Sequence, residues 1–153
     1  MTHEKIDYPP LLDGGIHPFT LDDLRQLTVQ GFPESTRRPA LFSALTIYLE
    51  LLENTGLKAS VWIDGSFMCT KREPDDIDIV VVYDPSSANK ISESAMPVVN
   101  SLLNTNHVKA RFGLHVFDVA SDDPEGMGFW FQTFGTQRDE RTPKGLAELK
   151  VNL

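Results

Sequence analysis

Two carboxylates set two positions apart, Asp76 and Asp78, stand at the head of the apolar run Ile79-Val80-Val81-Val82. In a strand, alternate side chains share a face, so both would project from the same side. The strand rise alone puts them roughly 6–7 Å apart. At an effective dielectric near 20 their repulsion is on the order of 2–3 kcal/mol. A hard divalent cation offsets that repulsion; Mg²⁺ is typically held by one or two carboxylates together with substrate phosphates. Upstream, Gly65-Ser66 closes the short apolar segment Val61-Trp62-Ile63-Asp64. A Gly-Ser turn leaving a strand can aim backbone N–H groups and a hydroxyl at a phosphate. The spacing therefore predicts a site with phosphate on one side and metal on the other.

Two-ion phosphoryl chemistry needs a third carboxylate. Asp118, inside the apolar stretch His115-Val116-Phe117-Asp118-Val119, is the candidate. The alternative for Asp118 is the exposed end of its strand, or a turn cap. The catalytic reading depends on Asp76, Asp78 and Asp118 converging. Lys71, Arg72, Arg138, Arg141 and Lys144 supply positive charge for phosphate, although Asp139 and Glu140 make the last cluster equally readable as solvated surface. Asp64 and Asp75 are read either as groups supporting the site or as loop anchors. His3, His17, His107 and His115 lack metal-ligand spacing, and His115 reads as a packed or hydrogen-bonded core residue. Trp62 reads as core in preference to a base-stacking surface. Cys69 has no partner for nucleophilic chemistry, and no P-loop pattern is present.

The 153 residues predict a single domain, 1–153, large enough for a proper core, with 41% hydrophobic and 24% charged residues. A net charge of −8 argues against a broad nucleic-acid platform, since phosphate backbones are bound by clustered Lys and Arg. The single cysteine excludes an internal disulfide framework and suits a reducing cytoplasm. No apolar run reaches membrane-spanning length, and the opening MTHEKIDYPP lacks a signal-peptide pattern.

The elements that must position these residues are α and β in mixture. Residues 1–19, rich in Pro and Gly, predict an irregular lead-in. Thr20 to Asp23 reads as a capping box opening a helix from Leu21 to about Val29. Pro39 opens a longer helix to Asn54, with Leu41, Leu45, Tyr48, Leu49 and Leu52 as its apolar stripe and Gly56 just past its end. Strands follow at 59–64 and 76–83. Asp84-Pro85-Ser86-Ser87 reads as a turn and helix cap. A helix is expected over Ala88–Asn104, bent or interrupted near Pro97. Lys109–Ala120 reads as a strand with a bulge at Gly113. Ser121–Gly128 reads as an acidic loop, Phe129–Phe134 as an aromatic helix or extended piece, and Gly145–Leu153 as a last strand.

Gly65-Ser66, nine residues, then Asp76-Ile77-Asp78-Ile79 resembles the signature of the DNA polymerase beta-like nucleotidyltransferases. The departure is Asp64, where that pattern has an apolar residue. Nearly end to end, the chain is also similar to a small bacterial family of unknown function. The segments that carry this are Trp62–Phe67, Lys71–Asp78 and Arg138–Gly145. The resemblance implies a minimal nucleotidyltransferase fold, a mixed central sheet flanked by helices. It implies two Mg²⁺ ions on Asp76, Asp78 and Asp118, and an NTP whose terminal phosphates are held by Gly65 and Ser66. Lys71, Arg138 and Lys144 are implied as further phosphate contacts. The expected activity is transfer of an NMP to a hydroxyl on an RNA end, a protein or a small molecule. The alternative is a non-catalytic nucleotide- or partner-binding module, such as an antitoxin with a cognate toxin or defence protein.

Overall fold

The structure is a computed structural model and describes residues 8–137 and 141–153. Five strands form one mixed sheet: β1 (Gly15–Pro18), β2 (Ala59–Asp64), β3 (Ile77–Tyr83), β4 (Leu114–Ala120) and β5 (Gly145–Val151), in the order β1-β5-β2-β3-β4. β2 is antiparallel to both β3 and β5, whereas β1–β5 and β3–β4 are parallel. The fold is α+β, with helices flanking a mixed sheet, the fold class that the resemblance implies.

Burial divides the sheet by the parity of its strands. One face carries Val61, Ile63, Ile77, Ile79, Val81, Leu114, Val116 and Leu149. It is covered by Leu45, Tyr48 and Leu52 of α2 (Arg37–Asn54), the stripe expected from the sequence. The other face carries Trp62, Val80, Val82, Val119 and Leu146, and Met127, Trp130 and Phe134 of α6 (Pro124–Phe134) pack against it with Phe117. Phe117, Trp130 and Phe134 stack with ring centroids 4.5–5.7 Å apart. Their quadrupoles favour this offset packing over a loose apolar cover.

Several boundaries differ from the sequence expectation. α1 (Leu21–Arg25) has the Thr20–Asp23 capping box and continues as a π turn to Gln30. α2 begins two residues before Pro39. The lead-in is not wholly irregular: β1 lies in it, and Leu11 N–H and Thr70 N–H tie residues 9–11 to the motif loop through Met68 O and Pro9 O, both within 3.0 Å. Of the helix expected over 88–104 only the last residue of α3 (Pro85–Ala88) and α4 (Met96–Leu102) are helical, and a further helix, α5 (Thr105–Phe112), takes the first residues of the strand expected from Lys109. Pro97 sits in the first turn of α4, where its missing N–H costs nothing. Gly113, read as a bulge, has φ +70 and ends α5 as its left-handed cap, so the strand starts only at Leu114. The acidic loop shrinks because Asp123 caps α6, its carboxylate accepting from Gly126 N–H. Among the described residues no helix is long and apolar enough to cross a membrane.

Candidate functional site

The site lies at one end of β2 and β3, on the α6 side of the sheet. Strand register sets it: Asp64 pairs with Asp78, and Asp78 pairs with His115. All three share the parity of Trp62 and Val80 and so project from one face. Asp76, two residues before Asp78, adds a fourth side chain. One ligand atom each from Asp76, Asp78 and His115 fall within 4.8 Å of one another. His115 Nδ1 is 3.3 Å from Asp78 Oδ1.

The Gly65-Ser66 turn is pressed against the same group. Gly65 has φ 85 and ψ −165, a conformation open essentially to glycine alone. A Cβ there would stand 2.6 Å from Asp78 Oδ2, so the backbone approaches the carboxylate as only glycine allows. Ser66–Met68 then makes one 3₁₀ turn, closed by Met68 N–H and Cys69 N–H to Gly65 O and Ser66 O.

The loop between the motif strands is held from α2. Arg38 is fully buried and among the described residues forms no ion pair; its guanidinium donates to the carbonyls of Thr28, Ser66, Phe67, Cys69 and Lys71 at 2.6–3.4 Å. It also lies 3.7 Å above the Phe32 ring. Burial pulls its pKa down to about 10, which still leaves it charged at neutral pH. Glu73 accepts from Thr36 N–H and Oγ1 at 3.0 and 2.8 Å, and Asp75 pairs with Arg37 at 3.3 Å. Asp75 is thus a loop anchor, one of the two roles the sequence leaves open for it.

Asp64 is the costliest group in the site. It is 2% exposed, and neither carboxylate oxygen has a hydrogen-bond partner. Lys144 Nζ stands 3.4 Å from Oδ1, longer than a good charged hydrogen bond. Burial pushes the Asp64 pKa up to about 7, with Lys144 opposing. Asp78 is also raised, by burial first and by Asp76 second, while His115 pulls it down.

The expected third acid is not there. Asp118 lies in register with Val81, three residues from the Asp78–His115 pair, hence about 10 Å further along the strand. Its parity is that of Leu114 and Val116, so it faces the α2 side, where its charge is felt by Tyr48. It is exposed within the body of β4, neither at the strand's end nor capping a turn. His115, read as a core residue, takes the neighbouring position instead and is half-buried. The expected set of Asp76, Asp78 and Asp118 for two Mg²⁺ ions is therefore not assembled; the donor atoms brought within 4.8 Å are those of Asp76, Asp78 and His115, two carboxylates and one imidazole, which fit a single divalent ion.

Of the basic candidates, Lys144 reaches the site but is engaged with Asp64. Lys71 contributes its carbonyl to Arg38, and among the described residues its ammonium forms no ion pair. Arg72 pairs with Glu34 at 3.6 Å. Arg138 lies outside the described residues. Trp62 is buried, with its indole N–H donating to Glu148 at 3.3 Å, a core role. A hollow lined by Thr55, Lys58, Asp84, Ser86 and Lys90 sits at the opposite ends of β2 and β3 and shares no residue with the site.

The two motif strands and the loop joining them all fall within residues 5–150, which match a family of unknown function, DUF6932. The chain belongs to this family. No curated protein and no solved structure matches the DUF6932 chain. The family match thus adds no chemistry, and the functional reading rests on the side chains themselves.

Proposed function

We propose that the DUF6932 chain is a divalent-cation-dependent nucleotidyltransferase, moving an NMP from an NTP to a hydroxyl on an RNA end, a protein or a small molecule. The observation that carries this reading is the contact between Gly65 and Asp78: the phosphate-type turn and the paired carboxylates are packed against each other with no room for a Cβ. In this reading Asp76 and Asp78 hold the ion, which supplies Lewis-acid stabilisation of charge at the transferring phosphate. Gly65 and Ser66 hold the terminal phosphates. Lys144 supplies positive charge beside them, and Arg38 keeps the turn in place from behind. The acceptor hydroxyl attacks the α-phosphorus in line and gives up its proton to solvent, the bond to the bridging oxygen breaks, and pyrophosphate leaves.

The displacement of Asp118 favours a second reading, a nucleotide- or partner-binding module without turnover, such as an antitoxin bound to a toxin or defence protein. A two-ion mechanism on Asp76, Asp78 and Asp118 lacks the last of these here. One experiment separates the two. Labelled NTPs and a divalent ion are incubated with cell extract and either wild type or the double variant Asp76→Ala/Asp78→Ala. Transfer of label with pyrophosphate release, lost in the variant, supports the enzyme. Nucleotide binding by calorimetry with no pyrophosphate and no labelled acceptor supports the module and rejects the enzyme.

A further inference from the structure

Magnesium is satisfied by oxygen alone; imidazole nitrogen is a ligand of the first-row transition ions. The donors gathered at this site are not all oxygen. We infer that Asp76, Asp78 and His115 form a single-ion centre selective for a first-row transition ion such as Mn²⁺ over Mg²⁺, with His115 as the selecting ligand. The inference deepens the reading of the same site as a metal-dependent one.

Three observations carry it. First, the spacing is right for ligands on one ion. Adjacent ligands about 2.1 Å from an octahedral ion are about 3 Å apart. Asp78 Oδ1 and His115 Nδ1 already stand at 3.3 Å, and Asp76 lies within 4.8 Å of both, close enough for a rotamer adjustment to complete the set. Second, the register that opposes His115 to Asp78 is fixed by the full β3–β4 ladder from Ile77↔Leu114 to Tyr83↔Ala120, so His115 is not free to leave. Third, Asp64, next to Asp78 on the same face, is a buried carboxylate whose two oxygens lack hydrogen bonds. A buried anion in that position is costly, and among the described residues its ion pair is with Lys144 at 3.4 Å. A bound cation would compensate the excess negative charge that Asp64, Asp76 and Asp78 together create.

The alternative that the cluster is an ordinary His–Asp pair makes different predictions. Full-length protein, freed of metal with chelator, is titrated with Mn²⁺ and separately with Mg²⁺ by calorimetry. Mn²⁺ binding is followed in parallel by electron paramagnetic resonance, and folding of each variant by its melting temperature. The expected wild-type result is one Mn²⁺ per chain. His115→Asp, which restores an all-oxygen set, should lower the Mn²⁺ to Mg²⁺ affinity ratio by at least about tenfold while the chain stays folded. His115→Ala should weaken Mn²⁺ by a similar factor. An unchanged ratio in His115→Asp, two ions per chain, or no saturable binding would overturn the inference. Because the readout is binding, the two proposals fail separately. Saturable Mn²⁺ binding without pyrophosphate release rejects the transferase alone. Turnover with Mg²⁺ that is indifferent to His115 rejects the selectivity alone.

Discussion

Arg38→Met is the substitution with the largest expected effect outside the acidic group itself. It keeps most of the side-chain volume and removes every donor. Three of the carbonyls it would abandon belong to fully or nearly fully buried residues, Thr28, Phe67 and Cys69. A buried acceptor left without a partner costs about 1–3 kcal/mol, so these three alone set a range of about 3–9 kcal/mol. Water entry beside the half-exposed loop and relief of the buried charge's own desolvation pull the total toward the lower end, about 3–5 kcal/mol. For a chain of this size each kcal/mol moves the melting temperature by about 2–4 °C, so a fall of roughly 10 °C is expected. Urea unfolding gives the free energy directly. Hydrogen exchange then locates the damage: amides of 66–71 should exchange faster while those of α2 near Leu45–Leu52 stay protected. Arg38→Lys keeps the charge but not the planar fork, and should recover only part of the loss. If Arg38→Met unfolds within about 1 kcal/mol of wild type with unchanged exchange in the loop, the idea that this one guanidinium organises the turn is wrong.

Three smaller tests address the site residues. The Asp64 pKa is raised from 3.8 to about 7, so the folded state binds more protons than the unfolded between those values, and ion-free stability should fall as pH rises from about 4 to 7. The shift corresponds to at most about 4 kcal/mol; thermal melts in chelator should show the slope flattened in Asp64→Asn, and an equal slope in both proteins refutes the assignment. Gly65→Ala combines a positive φ with a Cβ 2.6 Å from Asp78 Oδ2, so it should cost about 1–3 kcal/mol by urea unfolding and weaken Mn²⁺ binding; unaltered ion affinity would mean the turn can move away freely. Asp118→Asn should leave ion binding by calorimetry within twofold or so of wild type, because a neutral amide on the opposite face removes no ligand; a tenfold loss would place Asp118 in the site after all.

The elements were legible where a local signal was decisive. The capping box at Thr20–Asp23, the stripe of α2 and the runs that became β2 and β3 depend on periodicity and end signals within one segment. Asn104, Gly113 and Asp123 misled because each has two local meanings. A glycine beside an apolar run serves equally as a bulge or as a helix cap, and only the packing of α5 decides between them. The site divides in the same way. Gly65, Ser66, Asp76 and Asp78 lie at the adjoining ends of two consecutive antiparallel strands, where spacing nearly dictates who meets whom. Asp118 and His115 lie across a crossover of three helices, and the register of a parallel pair so joined is not written in either strand. Parity did carry one usable constraint. His115 and Asp118 are an odd number of residues apart, so a regular strand presents them to opposite faces and only one can meet Asp78. Arg38 was invisible for a different reason: its partners are carbonyls, which every residue has, so no side-chain pattern marks it.

The distribution of polar cost within the fold points the same way as the ligand geometry. The two largest buried ionisable groups away from the acids are satisfied by the chain itself: Arg38 by carbonyls, Tyr48 by Leu102 O at 2.6 Å. Asp64 alone among the described buried side chains has oxygens left over, and it sits one strand from Asp76 and Asp78, where the ion pairs among the described residues are those of Asp78 with His115 and of Asp64 with Lys144. Stability by itself would be served by Asn at 64 and a neutral residue at 76, neither of which the fold's packing forbids. An arrangement that concentrates uncompensated negative charge at one strand end, beside a glycine turn too close for any side chain, makes physical sense when a cation completes it. That is why ion binding, and not turnover, is the first property of this chain to measure.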